Sequence, residues 1–217
     1  MKHLMKAFVF ILFLLATVSA LGYFLWYKPK FSHKTDRPIT LIKHDLNAAA
    51  IVRLKQKARS FKLYNKGTDY DTGYCFLVDM RIASGKKRFF VYNLEKDSIE
   101  ADGLVTHGSG SDKGAAELYF SNIPNSNCTS LGKYKIGGSY NGKFGLAFKL
   151  HGLDRTNSKA FERFVVLHAH GCVPEEEVDP SPICESWGCP TVSPTFLTIL
   201  KKYIDKADKP ILLWIYY

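Results

Sequence analysis

From Ala7 to Tyr27 the chain reads AFVFILFLLATVSALGYFLWY, 21 residues without a charge, with Lys2 and Lys6 before it and Lys28 after it. A bilayer core of ~30 Å is crossed by ~20 apolar residues in a helix. The run has no polar face, so it cannot lie half-exposed on a globular surface as an amphipathic helix does. Val18-Ser19-Ala20 supplies the small residues that a signal peptidase needs. The apolar stretch nevertheless continues past them into an aromatic cluster, Tyr23 to Tyr27, of the kind that closes a span at the headgroup level. Residues 1–27 are therefore expected to form an uncleaved anchor rather than a cleaved leader. Either way the rest of the chain is exported.

The net charge of +10 is unevenly spread. Lys2, Lys6, Lys28, Lys30, Lys34 and Arg37 against Asp36 place half of it in the first forty residues. No basic stripe with interleaved aromatics follows, which argues against nucleic acid as a partner. Residues 28–44, KPKFSHKTDRPITLIKH, read as a basic tether. From 45 to 65 a helical lead-in is expected: Asp45 can cap it, and Leu46, Ala50, Leu54 and Phe61 recur near helical spacing.

From residue 66 to 217 the rhythm changes. GYCFLVDMRI and KRFFVYNLE are β-rich runs joined at Ala83–Lys86, and SIEADGLVTH is a third. HGSGSDKG is too rich in Gly and Ser for regular structure. Turns are expected at Gly137-Gly138 and Asn141-Gly142, and a strand at FVVLH. Ser193-Pro194 carries an N-cap and a first-turn proline, with Phe196, Leu200, Tyr203 and Ile204 along one face. Pro210 stops that helix before a closing strand, ILLWIYY. The expected fold is mostly β with a few short helices.

The chemistry concentrates near the C-terminus. Ser186-Trp187-Gly188-Cys189-Pro190 sets a cysteine in a turn of small residues, where Gly188 admits close backbone approach and the N–H groups around Cys189 can face an oxyanion. A cysteine nucleophile needs a base, and FVVL delivers His168 at the end of a strand. The helix beginning at Ser193 is placed to lower the thiol pKa. His168, His170, Cys172, Cys184 and Cys189 also form a rival set of five soft ligands, sufficient for a tetrahedral zinc, although no Cys-x2-Cys knuckle is present. Satisfied core histidines with stapling cysteines are a third reading. The five cysteines leave at least one thiol unpaired within the chain. Cys172 with Cys184 is the natural disulfide, against two buried thiols. The acidic loop VPEEEVDP, with Glu175, Glu176, Glu177 and Asp179, reads either as a solvated loop or as a lid attracting a cationic amine.

Several stretches together resemble one family. Val105 to Ser111 is similar to an HGxGSG loop; Tyr119 to Asn122 followed by Thr129 to Tyr134 is similar to FSN…SSLGxY. Tyr140 to Gly145, Leu150 to Leu153, Asn157, Arg163 and Val165 to His168 match too, so the likeness runs from about residue 73 to 217. The family is the YkuD-type murein L,D-transpeptidase catalytic domain, in its Ser-x-Gly-Cys-Pro branch. The resemblance implies a β-sandwich-like fold, no metal and no cofactor. It implies acyl transfer through a thioester at Cys189, from a peptidoglycan tetrapeptide stem to an amine or to water, on the envelope side of a bacterial inner membrane. His168 then serves as the base, with His170 of the His-Gly dipeptide as its competitor. Gly188 belongs to the nucleophile motif, and Ser186, Trp187, His107, Ser109 and Arg163 bind substrate. Two departures stand out: Ala169 follows His168 where the family has Gly, and Cys184-Glu185 replaces Gly-Arg before Ser186. An L,D-carboxypeptidase using the same pair, and a non-catalytic wall-binding domain, remain alternatives.

Overall fold

The computed structural model describes residues 2–23, 25, 46–114 and 117–217. They fall into two units, divided between His44 and Asp45. Among the described residues of the first is the helix α1 (Lys2–Gly22). Among the described residues no helix is long and apolar enough to cross a membrane. The expected tether at 28–44, the end of the aromatic cluster at Trp26 and Tyr27, and the Asp45 cap lie outside the described residues.

The second unit opens with α2 (Ala48–Asn65), whose N-cap is Asn47: its side chain accepts from the Ala50 N–H at 2.8 Å. Eight strands follow: β1 (Tyr74–Asp79), β2 (Phe89–Asn93), β3 (Ser98–Gly103), β4 (Gly132–Gly142), β5 (Gly145–Gly152), β6 (Val166–Ala169), β7 (Thr191–Val192) and β8 (Leu212–Tyr216). A third helix, α3 (Pro194–Lys206), sits between β7 and β8, with Ser193 as its N-cap. All eight strands form one sheet, in the order β3-β2-β1-β8-β4-β5-β6-β7. The sandwich-like expectation thus becomes a single sheet bent over on itself. Beyond β3 the chain continues to a bridge between Val105 and Val192, and Thr106 N–H donates to Thr191 O at 2.9 Å. The two edges of the sheet therefore meet, which leaves no open ladder beside β7.

Both faces of the central strands are covered, which explains why β1, β2 and β8 read as almost continuous apolar runs rather than alternating ones. Phe76, Val78, Phe89, Val91, Leu213 and Ile215 point into the bend, where Phe196, Leu197 and Leu200 of α3 join them. Cys75, Leu77, Phe90, Tyr92 and Leu212 face outward and are covered by Leu54, Ala58 and Phe61 of α2. Arg53 of α2 pairs with the buried Asp79 at 2.8 Å, fixing the helix over β1.

One expected turn is absent. Gly137-Gly138 lies inside β4, where the register with β5 shifts between Ile136 and Ser139. It is a bulge, and a Cβ on Gly137 would come within 2.8 Å of His151 Nε2. The hairpin instead turns at Gly142–Gly145, with Gly145 at φ +81°.

Candidate active site

Cys189 sits on the closing seam of the sheet, one residue before the Pro190 that leads into β7. Its turn is stitched to the loop after β3 by two backbone hydrogen bonds, Ser109 N–H to Ser186 O at 2.7 Å and Ser186 N–H to His107 O at 2.9 Å, which together make the parallel bridge of Gly108 with Ser186. The Ser186 hydroxyl donates to Cys189 O at 2.6 Å and accepts from Gly188 N–H at 3.1 Å. Thr106 Oγ1 donates to the same carbonyl at 3.1 Å. Ser186 thus braces the turn from inside and also lines the cleft beside Cys189. Gly188 holds φ +104°, and a Cβ there would meet Cys128 O at 2.6 Å. Only glycine fits, on both counts. With Ser186 and Gly188 N–H engaged, the Trp187 and Cys189 N–H groups are the donors of this turn without a partner among the described residues.

The thiol itself is partly buried. Sγ lies 3.5 Å from the Val166 N–H and 3.8 Å from Phe164 O. Burial pushes its pKa up, opposed by the Val166 N–H and by the charge of Arg163. The α3 N-terminus does not serve the thiol, contrary to expectation. Its Thr195 N–H and Ser193 hydroxyl both donate to the Glu175 carboxylate.

His168, buried on β6, is paired in register with Ala147 and Thr191. Its Nδ1 is 3.1 Å from Ala169 O, and since a carbonyl only accepts, Nδ1 carries the proton. Nε2 is then the basic nitrogen and takes the Thr191 hydroxyl proton at 3.0 Å. Burial lowers the His168 pKa, only partly offset by the Ala169 carbonyl, so the ring is neutral at pH 7. Phe144 stacks on this ring at 5.3 Å and meets the His170 ring edge-on. His170 is exposed and accepts from Cys172 N–H.

Two clefts of about 190 Å³ each open on either side of this pair, sharing Cys189, His168 and Phe144. One is walled by Thr106, His170, Glu185 and Trp187, the last 78% exposed. The other is walled by Tyr140, Lys143 and Phe164. Phe164 has the left-handed φ of 56°, uncommon for a bulky residue, and its side chain stands 83% exposed at the mouth.

His107 lies buried behind Glu185. The guanidinium of Arg88, itself wholly buried, donates to His107 Nδ1 at 3.0 Å and to Val105 O at 2.8 Å. Burial, and then the Arg88 charge, hold the His107 pKa down at about 4. Burial brings Arg88 down to about 9.

The other expected residues divide. Ser109 gives its N–H to Ser186 and lines neither cleft. Arg163 braces the site: its terminal nitrogens donate to Ser121 O at 2.9 Å and Cys128 O at 2.6 Å, holding the loop behind Gly188. Cys172 and Cys184 are joined by a disulfide, while Cys75, Cys128 and Cys189 are free. The bond removes two of the five donors of the expected zinc set. The acidic segment is no lid. Glu175 caps α3, Glu177 accepts from Lys87 N–H at 2.8 Å, and Asp179 pairs with Lys86 at 3.6 Å. Thr106, Thr191, Phe144 and Arg88 were missed by sequence reasoning. Each acts through a partner distant in the chain, and nothing in its local pattern signals it.

The sheet thus closes on itself at a seam where Cys189 and a neutral His168 line both clefts. The family model of the L,D-transpeptidase catalytic domain matches residues 45–216, and the chain belongs to that family. No curated protein matches the chain. Among solved structures it is similar to an L,D-transpeptidase of Xylanimonas cellulosilytica, at 13% identity and TM-score 0.38, over 66% of this chain and 60% of that one. It is similar to the helical cell shape determining protein Pgp2 of Campylobacter jejuni, at 13% identity and TM-score 0.43, over 78% and 56%. An L,D-transpeptidase of Mycobacterium smegmatis follows at 11% and 0.37, over 67% and 59%. The chain thus spans less than two thirds of each of these proteins.

Proposed function

We propose that this domain is a peptidoglycan L,D-transpeptidase of the Ser-x-Gly-Cys-Pro branch. In this reading Cys189 attacks the peptide carbonyl after the diamino acid of a tetrapeptide stem and releases the terminal D-residue. The acyl group then passes from sulfur to an amine on a second stem. His168 Nε2 takes the thiol proton and returns it to the leaving amine. The Val166 N–H steadies the thiolate, and the Cys189 N–H faces the developing oxyanion. The Nδ1–H bond to Ala169 O keeps the imidazole in the tautomer this requires.

The observation that carries the reading is the pair of clefts meeting at Cys189 and His168. A transferase must admit a donor and an acceptor to one sulfur, whereas a carboxypeptidase needs room for one stem and a water. For the N-terminal segment, the uncharged run Ala7–Tyr27 supports an anchor that holds the domain on the envelope side of a bacterial inner membrane.

Incubation of the full-length protein with a disaccharide-tetrapeptide tests this by intact mass. The expected result is an adduct on Cys189 lacking the terminal D-residue, absent from Cys189→Ser, and a dimer cross-linked between two diamino acids. Product consisting only of the free tripeptide would assign a carboxypeptidase; turnover retained in Cys189→Ser would remove the nucleophile.

A further inference from the structure

His107, Asp112 and Glu185 bring one ring nitrogen and two carboxylates within 4.8 Å of one another, and of the three Glu185 also lines the cleft beside Cys189, with His107 and Asp112 behind it. Because Arg88 donates to His107 Nδ1, the ring keeps its proton on Nε2. That N–H is buried in a residue only 5% exposed and has no hydrogen-bond partner. It lies 3.4 Å from Glu185 Oε1 without bonding to it. A metal requires a bare imidazole nitrogen, so a protonated Nε2 does not suit one. What the three residues present instead is one N–H donor beside two carboxylates. Burial and the neighbouring Asp112 both push the Glu185 pKa up, as expected of two like charges with no cation between them.

The complement is an ammonium group with an oxygen acceptor next to it. We propose that Asp112 and Glu185 bind the ammonium of the acyl acceptor, with His107 Nε2–H donating to an oxygen beside it, so that this cleft selects cationic amines over water. The proposal rests on the transpeptidase reading and adds which cleft receives the acceptor. Before transfer the ammonium releases one proton to solvent. The amine nitrogen then attacks the thioester carbonyl, its second proton passing to His168. The C–N bond forms, the C–S bond breaks, and the departing thiolate recovers that proton as the Cys189 thiol.

The test partitions one acyl-enzyme between two nucleophiles. Full-length protein is given a disaccharide-tetrapeptide as donor and acceptor together with hydroxylamine, which is uncharged at neutral pH, and the ratio of cross-linked dimer to hydroxamate is measured. Glu185→Gln and Asp112→Asn are each expected to lower that ratio roughly fivefold, the size of an exposed charge contact, and Glu185→Lys by ~tenfold or more. The ratio is set after acylation, so a smaller folded fraction in a variant does not alter it. Ratios unchanged in all three variants would overturn the proposal, as would a wild type yielding hydroxamate and no dimer. Failure of the wild type to form any acyl-enzyme would instead defeat the transpeptidase reading beneath it.

Discussion

His107 should make this protein acid-sensitive over a defined interval, and the interval follows from its surroundings. In the folded chain it accepts a proton only below about 4, against an ordinary 6.5, because burial disfavours the imidazolium and the Arg88 guanidinium repels it. Between those two values the unfolded chain binds a proton that the folded chain refuses. The unfolded state therefore gains as pH falls, and stability is lost from pH 6.5 downward until it levels off near 4. At ~1.4 kcal/mol per pH unit, a gap of about 2.5 units amounts to ~3 kcal/mol from this one ring. His168 and His151 are shifted the same way. The informative quantity is therefore the difference between wild type and His107→Gln, whose amide offers a carbonyl to Arg88 and an NH2 toward Glu185. Urea unfolding followed by tryptophan fluorescence at pH steps from 7 to 4 measures it. The wild type should lose ~3 kcal/mol more than the variant across the window, with the two within ~1 kcal/mol at pH 7. Parallel pH dependences would show that His107 titrates normally and that its buried environment has been misread.

Two further outcomes bear on the seam. Gly188→Ala should cost ~1–3 kcal/mol from the left-handed backbone alone. The Cβ contact with Cys128 O adds to this, so both the Tm and the rate of Cys189 alkylation should change; wild-type values for both would show that the turn tolerates a side chain. His168→Ala should slow acylation by at least ~100-fold, measured as the rate of thioester appearance, whereas His170→Ala should have a far smaller effect. The opposite ranking would transfer the base role to His170.

The elements that the sequence made legible are those built from neighbours. Ser193, Pro194 and the spacing of Phe196 and Leu200 announce α3, and the apolar runs at Tyr74–Asp79 and Phe89–Asn93 announce a hairpin. The bulge at Gly137-Gly138 was misread because a glycine pair looks the same in a turn as in a strand whose neighbour, His151, leaves no room for a Cβ. At the site, Cys189 and His168 were readable from the turn and the strand end that present them. The tautomer of His107, the second hydroxyl on Cys189 O and the capping of α3 by Glu175 were not, since each depends on a partner many residues away. The bracing roles of Arg163 and Ser186 went unread for the same reason: a polar side chain in a turn looks free until its partners are located.

The place of β8 sets a timetable for the whole domain. This strand, Leu212–Tyr216, pairs in parallel with β1 and antiparallel with β4, so among the described residues the halves of the sheet share a full ladder through it and otherwise meet at the Val105–Val192 seam. Without β8, strands β1–β3 and β4–β7 meet only at the seam, through the Val105–Val192 bridge and the Thr106–Thr191 hydrogen bond. Completion waits until residue 216 has emerged, and it then requires pairing with a strand more than 130 residues earlier.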